Sequence, residues 1–266
     1  MHPIAQVLAA TFATVVAMAA PGSAAPAGPQ DFRGEYTVSF LGLSVARATF
    51  DSHYENDAYS IHGSVSSAGI AQLFDDTKGT ISTSGRVLAD RIEPAAFRAD
   101  YTSGKKVSLI DIRFTDGKVT STKVEPPPKP RGPDWLPLNA ADLAGVADPI
   151  AATVIRTDSP DKVCGRTVKL YDGEMRANLV LGFIENSRIS VKGYEGPTVV
   201  CRLSFEPVSG YAKGRKALDY LKRKSQIKVT FAPLGQTGVY APIHATVGTQ
   251  IGTITIRARR FEAKGL

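Results

Sequence analysis

His53, His62 and His244 are the histidines of the chain beyond its first residues. Imidazole serves as general base and as neutral metal ligand, so their spacing is the first place to look for chemistry. His53 and His62 flank a turn-forming run, Glu55-Asn56-Asp57-Ala58. A turn centred on Asp57-Ala58 sets the two rings opposite each other, and one centred on Asn56-Asp57 does not. Even when paired they lack an evident third ligand, so no metal site is assigned. Asp75, Asp76 and Asp111 are carboxylates of the kind a glycosidase uses in pairs, although acids are equally ordinary on the solvent face of a strand. Thr102-Ser-Gly-Lys-Lys has the ending of a phosphate-binding loop. Ala99 stands where that loop needs glycine, and the surroundings read as a hairpin, so the match is discarded. There is no G-x-S-x-G elbow, no H-E-x-x-H and no calcium-loop spacing. On these residues no catalytic group and no cofactor is assigned, and the chain reads as a non-enzyme.

The other chemistry-bearing residues are two cysteines and a cluster of cations. Cys164 and Cys201 are the only cysteines, with no C-x-x-C and no nearby histidine. An even count in an exported chain reads as a structural disulfide, contributing roughly 3–4 kcal/mol by limiting the unfolded chain. Lys213, Arg215, Lys216, Lys222, Arg223 and Lys224 are the densest charge. Arg257, Arg259 and Arg260 are placed to join them from a late strand. The run reads either as a docking patch for anionic envelope groups or as a solvated helix face.

Export is read from the start of the chain. Residues 4–20 are apolar and uncharged, and Ser23 and Ala25 sit at the −3 and −1 positions of a signal-peptidase site. Residues 1–25 are therefore expected to be a cleaved signal peptide, which removes His2, and residues 26–33 a flexible lead-in. The first charged residue is Asp31, so the net charge of +7 belongs to the exported part. Hydrophobic residues make up 43% of the chain, enough for a core. No later stretch approaches the ~18 apolar residues of a membrane span. The expected location is periplasmic, or secreted. There a basic surface points to lipid head groups, lipopolysaccharide or an envelope protein rather than nucleic acid.

The elements that must position these residues are strands. Tyr36, Val38 and Phe40 alternate with Glu35, Thr37 and Ser39, giving one apolar and one polar face. The phase flips at Leu41, so Gly42 is expected to bend or bulge the strand. Further short strands are expected at about 59–67, 77–84, 86–91, 96–102, 107–114 and 118–124, with Gly85, Ser103-Gly104 and Asp116-Gly117 as turns. Val107 and Leu109 share one phase and Ile110, Ile112 and Phe114 the other, which predicts a bulge near Leu109–Ile110. Residues 125–137 hold six prolines and Trp135, and read as a crossover with the indole docked on the body. Asp148-Pro149 is a helix start, with Asp as N-cap. Ile150, Ala151, Ala152, Val154 and Ile155 follow without a charge, which predicts a buried helix. Residues 140–145 read as a further turn or two. Beyond it, strands flank Asp172-Gly173 as a second hairpin of the Asp116-Gly117 type. Residues 209–223 read as a loop into a short helix, with Leu218 and Leu221 facing inward.

These readings give an all-β, mainly antiparallel fold. Residues 34–266 form a single curled-sheet domain, an incomplete barrel or β-spiral wrapped around the short apolar helix, with the proline crossover inside it. The chain resembles the bacterial exported-protein family called domain of unknown function 3108. The resemblance rests on Tyr36-Thr-Val-Ser-Phe-Leu-Gly-Leu, the proline-rich link, Asp148-Pro-Ile-Ala-Ala-Thr-Val-Ile-Arg and Tyr171-Asp-Gly-Glu-Met-Arg. It continues through Cys201, Gly210-Tyr211, Tyr240-Ala-Pro-Ile-His and Gly252-Thr-Ile-Thr-Ile. The order and spacing of these pieces carry it across nearly the whole exported part. It implies a periplasmic, largely β protein, similar to the curled sheets of envelope-integrity proteins and lipoprotein carriers, which hold apolar chains on a concave face. It carries over no activity.

The leading expectation is a non-enzymatic envelope protein that binds an apolar or lipid-like ligand, or an envelope partner. Ile150, Ala151, Val154 and Ile155 would be its ligand-facing or core helix. A scaffold without a small ligand, and a hydrolase of an envelope polymer, are the other two readings. The oligomeric state is open.

Overall fold

A computed structural model describes residues 30–73 and 76–264. The expected signal peptide, residues 26–29 of the expected lead-in, and Asp75 lie outside the described residues; residues 30–33, expected to be flexible, begin the first strand, with Phe32 buried. The strands are β1 (Gln30–Phe40), β2 (Leu43–Glu55), β3 (Ala58–Ser67), β4 (Thr77–Val87), β5 (Ile92–Ser103), β6 (Lys106–Thr115) and β7 (Lys118–Glu125). After the proline run come β8 (Trp135–Leu136), β9 (Ile155–Arg156), β10 (Arg166–Tyr171), β11 (Arg176–Val191), β12 (Tyr194–Ser209) and β13 (Tyr211–Ala212). A short helix, α1 (Lys216–Arg223), precedes β14 (Ile227–Pro233), β15 (Val239–Thr249) and β16 (Gly252–Lys264).

One antiparallel sheet takes in most of these strands, in the order β10-β11-β12-β14-β15-β16-β1-β2-β3-β4-β5-β6-β7, with β9 added on β15. The first strand pairs with the last along Asp31–Lys264 to Phe40–Ile254, so both sides of the proline run belong to one sheet. It is not closed. The tip of the β11–β12 hairpin nevertheless reaches across to β16, where the Phe261 N–H donates to the Lys192 carbonyl at 2.9 Å. Tyr194 packs edge-on against Phe261 there. At the other end, Tyr171 lies in a core cluster with Phe97, Ile112 and Phe114. Its hydroxyl donates to the Gly173 carbonyl and lies 3.2 Å from Thr122 Oγ1 on β7. The sheet thus curls, and its concave face carries the core.

Alternation decides which side chains face inward. On β1 and β2, Phe32, Gly34, Tyr36, Val38, Ala48, Phe50 and Tyr54 share the concave face. The convex face of these strands and of the neighbouring β16 carries ion pairs: Arg33 with Glu35 and Asp51, and Arg260 of β16 with Glu35 and Glu262. These residues are half-buried, and partly solvent-screened pairs of this kind contribute little to stability.

Several local expectations are corrected. Leu41-Gly42 is a complete hairpin turn, with both residues at positive φ (49° and 84°), and not a bend within a strand. Gly85 lies inside β4, where β4 shifts register against β5; a Cβ there would sit 2.3 Å from the Glu93 carbonyl oxygen. The register shift on β6 falls at Arg113/Phe114 and not at Leu109–Ile110, where the pairing with β5 is continuous; Val107 is left in solvent while Leu109 is buried. Asp172-Gly173 opens a longer turn, in which the Asp172 carboxylate accepts the Glu174 and Met175 N–H groups. Asp116-Gly117 is the expected two-residue turn, both residues at positive φ. Trp135 is half-buried; β8 pairs with β13 and the Arg131 guanidinium stacks 3.8 Å over the indole.

The main correction concerns the expected helix. Asp148 does cap, but the turn it starts is a 3-10 helix limited to Ala151–Thr153. Thr153, Val154 and Ile155 are β-branched in succession and resist helical propagation. The Thr153 hydroxyl donates to the Ile150 carbonyl, and the chain then extends so that Ile155 and Arg156 pair with Tyr240 and Val239. Among the described residues the only α-helix is α1, whose basic residues are exposed.

Candidate functional site

The proposed catalytic and metal candidates are not gathered. The β2–β3 turn is centred on Asn56-Asp57, which sets His53 opposite Ser60 and His62 opposite Asp51. His53 Nδ1 lies 2.7 Å from Asp31 on the convex face. His62 is exposed. His244, half-buried on β15, has its pKa held below the usual imidazole value by burial and by the charge of Arg257. Asp76 pairs with Lys78, and Asp111 with Arg98 and Arg113. Among the described residues no three His, Cys, Asp or Glu side chains form a metal cluster. Cys164 and Cys201 form a buried disulfide, Cα–Cα 5.8 Å, in a cluster with Ile155, Val163, Leu181 and Phe231.

The concave face holds a cavity of about 310 Å³. Its floor is the inward row of β1 and β2 with Ile61, Ile256 and Phe261. Ile150, Thr153 and Val154 of the capped turn form one wall, and Leu234, Ala241 and Pro242 another. The volume lies at the lower end of the ~300–1,000 Å³ usual for small-molecule sites. Ala151 is buried behind this wall, and Ile155 turns away to the disulfide cluster. Of the four residues expected to be ligand-facing or core, Ile150 and Val154 line the cavity and Ala151 and Ile155 belong to the core.

The aromatic lining is fixed by its neighbours. Tyr36 donates its hydroxyl to the Pro242 carbonyl at 2.9 Å and packs edge-on to Phe50. Phe50 lies between Gly34 and Gly63 on the two adjacent strands. A Cβ on Gly63 would approach the Phe50 ring to 2.5 Å, and one on Gly34 would approach the Tyr36 ring to 2.7 Å. The missing side chains let both rings lie flat along the sheet, so they line the space without filling it. Burial raises the pKa of Tyr36 and Tyr54, so both stay neutral phenols.

A buried polar chain holds the wall. Asp148 is 0% exposed. Its carboxylate accepts the Ile150 and Ala151 N–H groups at 3.0 and 2.9 Å and the Thr83 hydroxyl at 2.7 Å. Thr83 spends its one proton on Asp148, so the Tyr59 hydroxyl, 3.3 Å away, donates to Thr83. Burial pushes the Asp148 pKa up to about 6, against the lowering effect of the Ala151, Thr83 and Ile150 hydrogen bonds. On the far side Arg156 donates to Asp57, to the Val87 carbonyl and to the Asn56 carbonyl. The wall is thus tied to β4 and to the β2–β3 turn.

The six basic residues around α1 are exposed and have no ion-pair partner among the described residues. Arg259 and Arg260 are held by Glu35 and Glu262 instead. Apart from Tyr36 and Val38, the β1–β3 lining is not among the residues expected from the sequence. Its signal was the even-numbered row Phe32, Gly34, Tyr36, Val38 facing Ala48, Phe50, Ser52, Tyr54.

The sequence model of the family described as "Protein of unknown function (DUF3108)" matches residues 35–259. The chain belongs to this family. No curated protein matches the chain. Among solved structures it is similar to the β-barrel-like protein of domain of unknown function DUF1849 from Brucella abortus, at 12% identity and a TM-score of 0.52. That likeness covers 91% of this chain and 100% of the other, and it shows the fold alone. A "putative lipoprotein" from Parabacteroides distasonis is more distant, at 8% identity and a TM-score of 0.33, covering 88% of this chain and 95% of that one. No helix among the described residues of this DUF3108 chain is long and apolar enough to cross a membrane.

Proposed function

We propose that the concave face binds one apolar, lipid-like chain, in a non-enzymatic protein exported to the cell envelope. The open sheet acts as an incomplete barrel, and the Asp148-capped turn serves as a wall that leaves room beside it. The supporting observation is the 310 Å³ cavity lined by Phe32, Tyr36, Phe50, Ile150, Val154 and Phe261. Its polar groups are engaged elsewhere, as Tyr36 is with Pro242, which suits an occupant recognised by shape and apolarity. Export is supported by the apolar run of residues 4–20 and by the Cys164–Cys201 disulfide, since such bridges persist in oxidising compartments.

Delipidated protein should bind a fluorescent fatty acid, and binding should raise the melting temperature by mass action. Ala48→Phe and Ala241→Phe place rings in the cavity, and each should weaken probe binding at least tenfold while leaving the melting temperature unchanged or higher. Equal probe binding by both folded variants would refute the reading.

A further inference from the structure

The hairpin tips β1–β2 and β15–β16 lie side by side at one end of the sheet. The Leu41 N–H donates to the Thr253 carbonyl at 3.2 Å. The Leu41 side chain lies over Gly252, where a Cβ would meet Leu41 Cδ2 at 2.5 Å. Three large aliphatic residues stand in solvent on these tips: Leu41 (63% exposed), Leu43 (55%) and Ile251 (77%). Leu41 is held at φ 49°, a left-handed conformation that leucine rarely adopts, so the backbone itself presents this side chain outward. Clustered apolar tips of this kind mark a surface that meets something apolar.

Beside the tips lies the strongest unpaired positive charge. The Gln250 side chain donates to the Lys216 carbonyl at 3.0 Å, which fastens the β15–β16 tip to α1. From Lys213 to Lys224 there are six cations and one acid, Asp219, and none of the six cations is in an ion pair among the described residues. A groove of about 560 Å³ between α1 and the tips is lined by Phe40, Val45, Tyr220, Leu221, Ile251 and Ile254. Apolar points flanked by mobile-length cations match the two layers of an anionic bilayer, acyl chains below and phosphate head groups above.

We propose that this end of the sheet docks on an anionic phospholipid bilayer, with Leu41, Leu43 and Ile251 entering the interfacial layer and the α1 cations against the head groups. The inference stands apart from the cavity reading, because it concerns the outside of the sheet end. The full exported chain should co-float with vesicles containing phosphatidylglycerol, and at least tenfold less with pure phosphatidylcholine vesicles. Raising salt from 0.1 to 0.5 M should weaken that binding several-fold. Leu41→Ser/Leu43→Ser/Ile251→Ser, and separately Lys216→Glu/Lys222→Glu/Lys224→Glu, should each reduce it at least tenfold, with circular dichroism and melting temperature close to those of the parent chain. Absence of binding to either vesicle, equal binding to both, or parent-like binding by either folded variant would overturn the proposal. A wild type that ignores vesicles but is captured through these residues by an envelope protein would do the same.

Discussion

Asp148 makes the stability of this protein depend on pH in the direction opposite to that of most carboxylates. Its pKa rises from 3.8 to about 6 on folding, because the carboxylate leaves water for the core. The folded state therefore holds the proton more tightly than the unfolded state. The resulting stabilisation is fully present only well below pH 3.8, and it is lost as pH rises through 6. A difference of about two pKa units corresponds to about 3 kcal/mol. For a chain of this size that is a melting shift of roughly 6–12 °C. Asp148→Asn isolates the effect. The amide oxygen can still accept the Ile150 and Ala151 N–H groups, and the amide N–H₂ can donate to Thr83 once that hydroxyl rotates. Urea unfolding of both proteins from pH 4 to pH 8, with the disulfide intact, cancels every other titrating group in the difference. The variant should gain about 2 kcal/mol relative to wild type between pH 4 and pH 8, the rest of the difference lying below pH 4. Asp148→Ala also removes the titrating carboxyl, so its curve should run parallel to that of Asp148→Asn, displaced downwards by about 1–2 kcal/mol through loss of the cap. If the wild-type and Asp148→Asn curves run parallel across this range, Asp148 is not the buried titrating group described here.

Reducing the Cys164–Cys201 bridge, or replacing both residues with alanine, opens a loop with a sequence separation of 37 and should cost about 4 kcal/mol. A melting temperature unchanged by strong reductant would show that the bridge is unimportant. Gly63→Ala should destabilise by about 1–3 kcal/mol, because the new methyl group meets the Phe50 ring at 2.5 Å. In a Phe50→Ala background the same change should be nearly neutral, and additive losses in that double-mutant cycle would refute the contact argument.

The strands were legible in the sequence because the alternation is local. Tyr36, Val38 and Phe40 against Glu35, Thr37 and Ser39 are enough to name a half-buried strand, and Asp116-Gly117 is enough to name its turn. The wall was half legible. Asp148-Pro149 does mark a capped start, yet the run of Thr153, Val154 and Ile155 favours extension once Tyr240 offers a ladder partner. That partner is some 85 positions away, so no local window contains it. The histidine pairing turned on one residue of register: Asn56 at φ 53° places the turn where His53 and His62 miss each other. The cavity was the least legible, since it depends on rows that cross the sheet, such as Phe261–Gly34–Phe50–Gly63–Ile81.

That row also bears on why the space is there. An apolar cavity of about 310 Å³ on the concave face leaves its lining without the dispersion contacts that a filled core would supply. Whole domains are stable by only about 5–15 kcal/mol. A chain optimised for stability alone has simple remedies at hand, because Ala48 and Ala241 border the space and a larger residue at either would reduce it. Instead Gly34 and Gly63 hold the Tyr36 and Phe50 rings down along the sheet, and Asp148 carries a buried charge to keep the opposite wall in place. Small residues below and a costly cap above both act to hold the two surfaces apart. On the proposed function, an occupant supplies the missing apolar contacts, and the small residues and the Asp148 cap then serve to keep room for it.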